Sequence, residues 1–271
     1  MSNGRIQNPE EGDRLLLKGN VALISGGLGD IGRAIALELA SRGADVALGD
    51  VLDSTKATGL LDTLSSKGVR ARYDRVDVSD ANAVRQWIDT VERDIGLPSL
   101  IVPNAAIVNV SDVRSVTPED WARHMRINLD GSFFLAQMAA LKLSAAKKPG
   151  RIVIIGSWAG HAPHLKIPAY CASKAALRMG MKCLALEFAK DNILVNEVAP
   201  GFVDAGLSGR LFDENPGTRE IAAQRVPVKR LITAQEVALQ VAWLCDPSNV
   251  HVTGSVLLMD GGLSLSGPAN G

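Results

Sequence analysis

Tyr170 and Lys174 stand four residues apart in Tyr-Cys-Ala-Ser-Lys, at the start of a long amphipathic pattern. A helix there presents both side chains on one face. A free tyrosine phenol, with a pKa of about 10, is a poor base at neutral pH. A lysine cation within one helical turn stabilises the phenolate and brings that pKa down. Ser157 closes an apolar run thirteen residues upstream, and Asn128 follows a helical run in Ile-Asn-Leu-Asp-Gly. A hydroxyl, a phenol, a cation and an amide brought together could hold an oxygen atom and move a proton on it.

A second cluster suits a phosphate. The segment Ser25-Gly26-Gly27-Leu28-Gly29-Asp30-Ile31-Gly32 follows a short apolar run and opens an amphipathic one. Gly27, Gly29 and Gly32 have the spacing of a dinucleotide turn, where a diphosphate approaches the backbone and a helix N-terminus with no Cβ in the way. Asp50 ends the next apolar run 18 residues beyond Gly32, close to the roughly 20 at which an acid meets the adenosine ribose. Its carboxylate accepts hydrogen bonds from ribose hydroxyls and repels a 2′-phosphate. Val51 follows it, and residues 25–30 hold no Lys or Arg, so the cofactor expected is NAD rather than NADP. The plainer alternative is a glycine-rich structural turn with Asp50 as a local cap.

These residues need a scaffold, and the chain shows one. Apolar runs at residues 20–25, 45–50, 70–77, 99–105, 151–157, 194–199 and 255–260 read as strands; the first, fourth and fifth are almost wholly apolar, as strands buried on both faces are. Helical patterns lie at 31–42, 55–67, 81–95, 118–147, 169–190 and 234–245. In the first, Ile31, Ile35 and Leu39 repeat at helical spacing, and Arg42-Gly43 is a stop signal. The alternation predicts an α/β fold, a doubly wound parallel sheet with helices on both faces, in one domain over residues 18–263. Residues 1–17 read as an extension and 264–271 as a flexible tail. Residues 200–227, rich in Gly, Asp and Asn with room for a short helix, read as a substrate loop.

Composition narrows the class. The chain has 271 residues, with 29 Lys+Arg against 29 Asp+Glu, so it lacks the basic excess of a nucleic-acid binder. Hydrophobic residues make up 46% and aromatics only 4%, so the core must be built from aliphatic and small residues. Three cysteines without a Cys-x-x-Cys exclude a disulfide scaffold and suit a reducing compartment. The polar N-terminus does not read as a signal peptide, and no apolar run nears the roughly 20 residues of a membrane span. A cytoplasmic protein with no membrane or nucleic-acid partner is expected. With 4 His and no cysteine partner near them, no metal is expected.

Taken in order, the glycine turn, Asp50, Asp77-Val78, Asn104-Ala105, Asn128, Ser157, Tyr170 with Lys174, Asn196, Pro200-Gly201 and Asp260-Gly261-Gly262 closely resemble the short-chain dehydrogenase/reductase superfamily over nearly the whole chain. The resemblance implies a seven-stranded sheet, hydride transfer between NAD(H) and an alcohol or ketone, and a homotetramer. It makes Tyr170 the general acid/base, Lys174 the depressor of its pKa and holder of the nicotinamide ribose, Ser157 the partner of the substrate oxygen, and Asn128 the anchor of a relay water. The cofactor would lie on Ser25, Gly26, Gly27, Gly29, Asp30, Ile31, Gly32, Asp50, Asp77, Val78, Asn104, Ala105, Ala106, Tyr170, Lys174, Pro200, Gly201 and Val203. The side chain of Asp77 and the backbone at Val78 would meet the adenine.

The chain departs from the family pattern at Ser25 (usually Thr), Asp30 (usually Gly), Pro103, Ala106 and Ala205. Asp30 is expected to cap the following helix. Ala205 lacks the hydroxyl that commonly meets the nicotinamide amide. Val108, Asn109, Trp158, His161, His164, Phe202 and Leu207 border the active site in similar proteins and are the candidate substrate contacts. The expected substrate is a small secondary alcohol or ketone, with a sugar or polyol (glucose 1-dehydrogenase-like) foremost. A 3-oxoacyl-thioester reductase and a non-catalytic NAD-binding sensor are the alternatives.

Overall fold

The computed structural model describes residues 16–215 and 217–265. Seven strands form one parallel sheet: β1 (Val21–Ser25), β2 (Asp45–Asp50), β3 (Ala71–Arg75), β4 (Leu100–Val102), β5 (Gly150–Ile155), β6 (Ile193–Pro200) and β7 (Val256–Met259). Their spatial order is β3-β2-β1-β4-β5-β6-β7. The helices are α1 (Asp30–Ser41), α2 (Thr58–Ser65), α3 (Ala81–Asp94), α4 (Pro118–His124), α5 (Ser132–Ala145), α6 (Pro168–Phe188), α7 (Gly206–Glu214), α8 (Thr218–Arg225) and α9 (Ala234–Cys245).

Side-chain alternation along each strand divides the core in two. From β1, Ala22 and Ile24 join a layer with Ile35 and Leu39 of α1 and Val237 and Val241 of α9. Val21 and Leu23 point the other way, to Trp87 of α3, Leu135 of α5 and Leu177 of α6. Few aromatics are needed because small residues let helices approach closely: Ala36 and Ala40 of α1 share a cluster with Ala238 and Ala242 of α9. Leu17, assigned to an extension from the sequence, is buried in that layer, and its N–H donates to the Arg42 carbonyl at 2.9 Å. Likewise Leu263–Leu265 forms a short turn held by Asp260, which accepts the Ser264 N–H at 2.8 Å; residues 266–271 lie outside the described ones.

Two expectations about elements change. The segment 118–147, expected as one helix, contains a π-helical stretch, Met125–Gly131, between α4 and α5. Residues 200–227 carry two helices, α7 and α8, where the sequence suggested a mostly irregular loop. Strand boundaries also retract for local reasons. The fourth apolar run, expected to reach 105, ends pairing at Val102 because Pro103 has no N–H to give the ladder.

Leu39 is fully buried where α1 meets the sheet. Leu39→Ala should lower stability by about 2–5 kcal/mol, read as a shift of the denaturant midpoint with an unchanged slope.

Candidate functional site

The strand order reverses between β1 and β4, so the connections leaving their C-terminal ends part and open a crevice. A cleft of about 810 Å³ occupies it, lined from Asp50 and Leu52 at one end to Ser157, Tyr170 and Lys174 at the other.

The glycine turn forms the floor. Gly26 has φ +63°, and a Cβ on it would meet the Ala105 backbone at 2.9 Å. A Cβ on Gly32 would overlap the Gly26 carbonyl, so this helix start fits only glycine. Helix α1 begins with no side-chain cap, leaving its first N–H groups and positive dipole end facing the cleft as an anion would need. Asp30 does not cap it. Its carboxylate turns away to accept the Gly206 N–H at 2.8 Å, tying the turn to the start of α7. Ser25 lies beneath the cleft, not in its lining; its hydroxyl accepts the N–H groups of Asn104 at 3.1 Å and Ala105 at 3.2 Å. Gly27 also faces inward, against Leu48. The Asn104 amide donates to the carbonyls of Ser25 and Gly26 at 3.1 and 3.0 Å, sewing β4 to the turn.

Asp50 is half-buried at the end of β2 and accepts the N–H groups of Leu28 at 3.1 Å and Leu52 at 3.3 Å. Nearby cations are engaged elsewhere: Arg33 donates to the carbonyls of Leu28 and Lys56, and Arg75 to that of Val51. Asp77 is exposed at the rim, where its carboxylate accepts the Ser79 N–H at 2.9 Å and hydroxyl at 2.8 Å. Gly26, Gly29, Ile31, Gly32, Val78, Ala105, Ala106, Pro200, Gly201 and Val203 all line the cleft. This lining offers a diphosphate a glycine cradle and a helix N-terminus, and a ribose an acidic group. The residues therefore fit a dinucleotide.

At the other end, Ser157 follows β5, and its hydroxyl pairs with the Tyr170 side chain. Lys174 is buried, with its Nζ donating to the Ile155 carbonyl at 2.8 Å and lying 5.8 Å from the Tyr170 ring centre. Burial pushes the Tyr170 phenol up to about 12, opposed by the Ser157 hydrogen bond. Burial also pushes the Lys174 ammonium down to about 8, opposed by the charge of Glu197. The depressed phenol expected from the Tyr–Lys spacing is thus not what the protein alone provides. Desolvation outweighs the Ser157 hydrogen bond, and the phenol stays protonated at neutral pH.

Asn128 sits behind the cleft wall, fully buried in the π-helical stretch. Its amide brackets Ile107, accepting the N–H and donating to the carbonyl, both at 2.9 Å, and donates to the Ser173 hydroxyl at 3.2 Å. His124, overlooked in the sequence, secures the same loop. Its Nε2 accepts the Asn109 N–H at 3.1 Å, and its Nδ1 lies 2.7 Å from the Asp120 carbonyl. The signal for it was its place one turn before Asn128 on a helix whose apolar residues are sparse.

Trp158, His164, Phe202 and Leu207 line the cleft with Val108; His161 is exposed and, like Asn109, outside the lining. Trp158 meets His164 edge-on at 3.9 Å and Phe202 at 5.3 Å between ring centres, and Phe202 meets Phe212 of α7 at 6.5 Å. His164 is held below the usual imidazole range by burial and by Arg225, so it is neutral at pH 7. Arg123 and Arg126, also not anticipated, stand exposed on the rim. No group of His, Cys, Asp and Glu among the described residues is arranged to hold a metal ion.

Known proteins resemble the chain in sequence and fold. A family model described as Enoyl-(Acyl carrier protein) reductase matches residues 27–264. The chain is 32% identical over 256 residues to 2,3-dihydro-2,3-dihydroxybenzoate dehydrogenase of Bacillus subtilis, covering 92% of this chain and 97% of the relative. It is 32% identical over 250 residues to 3-oxoacyl-(acyl-carrier-protein) reductase FabG of Pseudomonas aeruginosa, covering 92% and 99%. Among solved structures, a short-chain type dehydrogenase/reductase from Mycobacterium marinum superposes with a TM-score of 0.87 at 30% identity, covering 92% of this chain and 97% of that one.

The buried ammonium gives a direct test. In protein free of nucleotide, the Lys174 side-chain carbon resonance should titrate with a midpoint near 8, well below the ordinary lysine value of 10.5.

Proposed function

The chain belongs to the short-chain dehydrogenase/reductase superfamily, and from that membership we propose that it is an NAD-dependent oxidoreductase of small secondary alcohols and ketones. The observation that carries this reading is the convergence of Ser157, Tyr170 and Lys174 at one end of a cleft whose other end is closed by Asp50. When bound, the dinucleotide would accept or supply the hydride. Everything else falls to the chain. Ser157 would donate to the substrate oxygen and Tyr170 would carry the proton that moves on it. In the reductive direction the phenol is already protonated, the form a general acid needs. In the oxidative direction Lys174 must be charged to make the phenolate accessible, and its ammonium would hold a ribose hydroxyl as well. Asn128 would act by bracing Ile107 and Ser173 rather than by touching substrate.

NAD is favoured because the Asp50 carboxylate lies where a 2′-phosphate would be repelled, and because Arg33 and Arg75 are already bonded to backbone carbonyls. For the substrate, Trp158, Phe202 and the neutral His164 make a wall that is largely aromatic with one hydrogen-bonding ring, which suits a cyclic or hydroxyl-bearing ligand such as a sugar or polyol. A 3-oxoacyl-thioester reductase is the second reading, favoured by the likeness to FabG. Exposed Phe134, Leu141, Met179 and Leu186 on α5 and α6 support association into a homotetramer.

A panel of glucose, sorbitol, 3-hydroxybutyrate, cyclohexane-1,2-diol and a 3-oxoacyl thioester, read by NADH absorbance, decides between the two: turnover of the thioester alone removes the first reading. Tyr170→Phe should lower kcat by about 10²–10⁴-fold with nucleotide affinity unchanged. Asp50→Ala should reduce the preference for NAD over NADP, in kcat/KM, by at least about tenfold, equivalent to roughly 1.4 kcal/mol; an unchanged ratio, or a wild type that prefers NADP, rejects the role of Asp50.

A further inference from the structure

Directly behind the cleft wall lies a buried ion pair that the reaction as described does not use. Arg178 is one helical turn beyond Lys174 on α6, and Glu197 is in β6, opposite Ile154 of β5. The guanidinium meets the carboxylate through two bonds, Nε to Oε2 at 2.9 Å and Nη2 to Oε1 at 2.8 Å. Only 13% of the Arg178 side chain and 1% of the Glu197 side chain are exposed. The same Nη2 donates to the Ser157 carbonyl at 2.9 Å. The backbone beside Ser157 is shaped to fit: a Cβ on Gly156 would overlap the Glu197 carboxylate. A buried charged pair is a poor device for stability, since apolar residues of similar volume commonly do as well or better. The arrangement calls for another purpose.

We infer that Arg178 and Glu197 are positioning residues for the proposed reaction. Arg178 fixes the Ser157 carbonyl and so aims the Ser157 hydroxyl, while Glu197 orients Arg178 and places a negative charge behind Tyr170 and Lys174. This inference rests on the assignment of Ser157, Tyr170 and Lys174 given above. The groups facing Tyr170 are the Ser157 hydroxyl after β5, the Lys174 ammonium and Cys171 thiol on α6, and Glu197 on β6. Those facing Lys174 are the Ile155 carbonyl and Glu197. Negative charge at Glu197 disfavours loss of a proton from either group. Neutralising it therefore lets the first proton leave the Tyr170–Lys174 pair at lower pH.

The test separates aim from charge. Glu197→Gln keeps the shape, and its acid limb for alcohol oxidation, on whichever panel substrate turns over fastest, should move to lower pH. Arg178→Lys keeps the charge but cannot span both the carboxylate and the Ser157 carbonyl. It should lower kcat by about tenfold or more with the pH limb in place and the cofactor KM within about twofold. A purely structural pair would lower the melting temperature of both variants and leave kcat and the pH limb untouched, and that outcome overturns the inference. Gly156→Ala should impair turnover in the wild type and do little in an Arg178→Met/Glu197→Ala background; equal damage in both also counts against it. A readout without substrate guards against failure of the functional reading itself. The chain has only 2 tyrosines, so ¹³C-tyrosine resonances, assigned with Tyr73→Phe, follow Tyr170 ionisation directly. If no alcohol or ketone is turned over, the oxidoreductase reading falls, and the same titration decides the charge relation: an earlier phenolate onset in Glu197→Gln upholds it, and an unchanged onset refutes it.

Discussion

Between β1 and β4 the chain reverses the direction in which it adds strands, and the connections leaving those strands must pass to opposite faces of the sheet. The crevice this leaves is a place where backbone cannot be covered by its own neighbours. Two features keep it open and defined. Gly32 allows α1 to start against the Gly26 carbonyl, and the Asn104 amide joins the two diverging loops by bonding the carbonyls of Ser25 and Gly26. That junction extends the β1–β4 pairing beyond the end of the ladder and, with the Ser25 hydroxyl, ties the helix N-terminus to the loop after β4.

The far end of the cleft is governed by desolvation. A phenol and an ammonium are held where water is scarce, and each is driven toward its neutral form: Tyr170 upward, Lys174 downward. The two effects oppose the chemistry of a base and suit the chemistry of an acid. The lysine's charge is supported by what surrounds it, namely the Ile155 carbonyl and the field of Glu197. Spacing in the sequence brings the pair together; desolvation is the main influence on how readily each gives up a proton, and Glu197 on the neighbouring strand opposes the loss from either.

Much of this was legible in the residues. Strand β2 and helix α9 fall where the pattern places them, because apolar runs bounded by turn residues and a Thr233–Glu236 capping box are local signals. The glycine turn and the Tyr170–Lys174 face are local as well. What escaped the reading depends on contacts distant in sequence. The Asp30 carboxylate could have capped its own helix, and nothing nearby says that it reaches Gly206 instead, 176 residues away. The π-helical stretch has the composition of an α-helix; only the seating of Asn128 against Ile107 and Ser173 distinguishes it. Arg178 looks like an ordinary helix-surface residue until β6 is packed beneath it. The one hint was Glu197, a charge in a strand that is otherwise nearly apolar.

Helices α7 and α8 show why a segment of weak pattern can still be ordered. Neither has the long apolar face that carries most helices in a domain. α7 instead starts at Gly206, with φ +60°, where the Asp30 carboxylate takes its first N–H. Arg219 of α8 pairs with Asp204, just ahead of α7, and with Asp213 within it. From the same region Phe212 leans on Phe202, which meets Trp158 beside Ser157. The Arg219 ion pairs are largely exposed and hold this segment only weakly. Its points of attachment are the glycine turn at one end and Trp158, the neighbour of Ser157, at the other. Any ligand that moves Asp30 or Trp158 therefore acts on the cover of the cleft as well as on its floor.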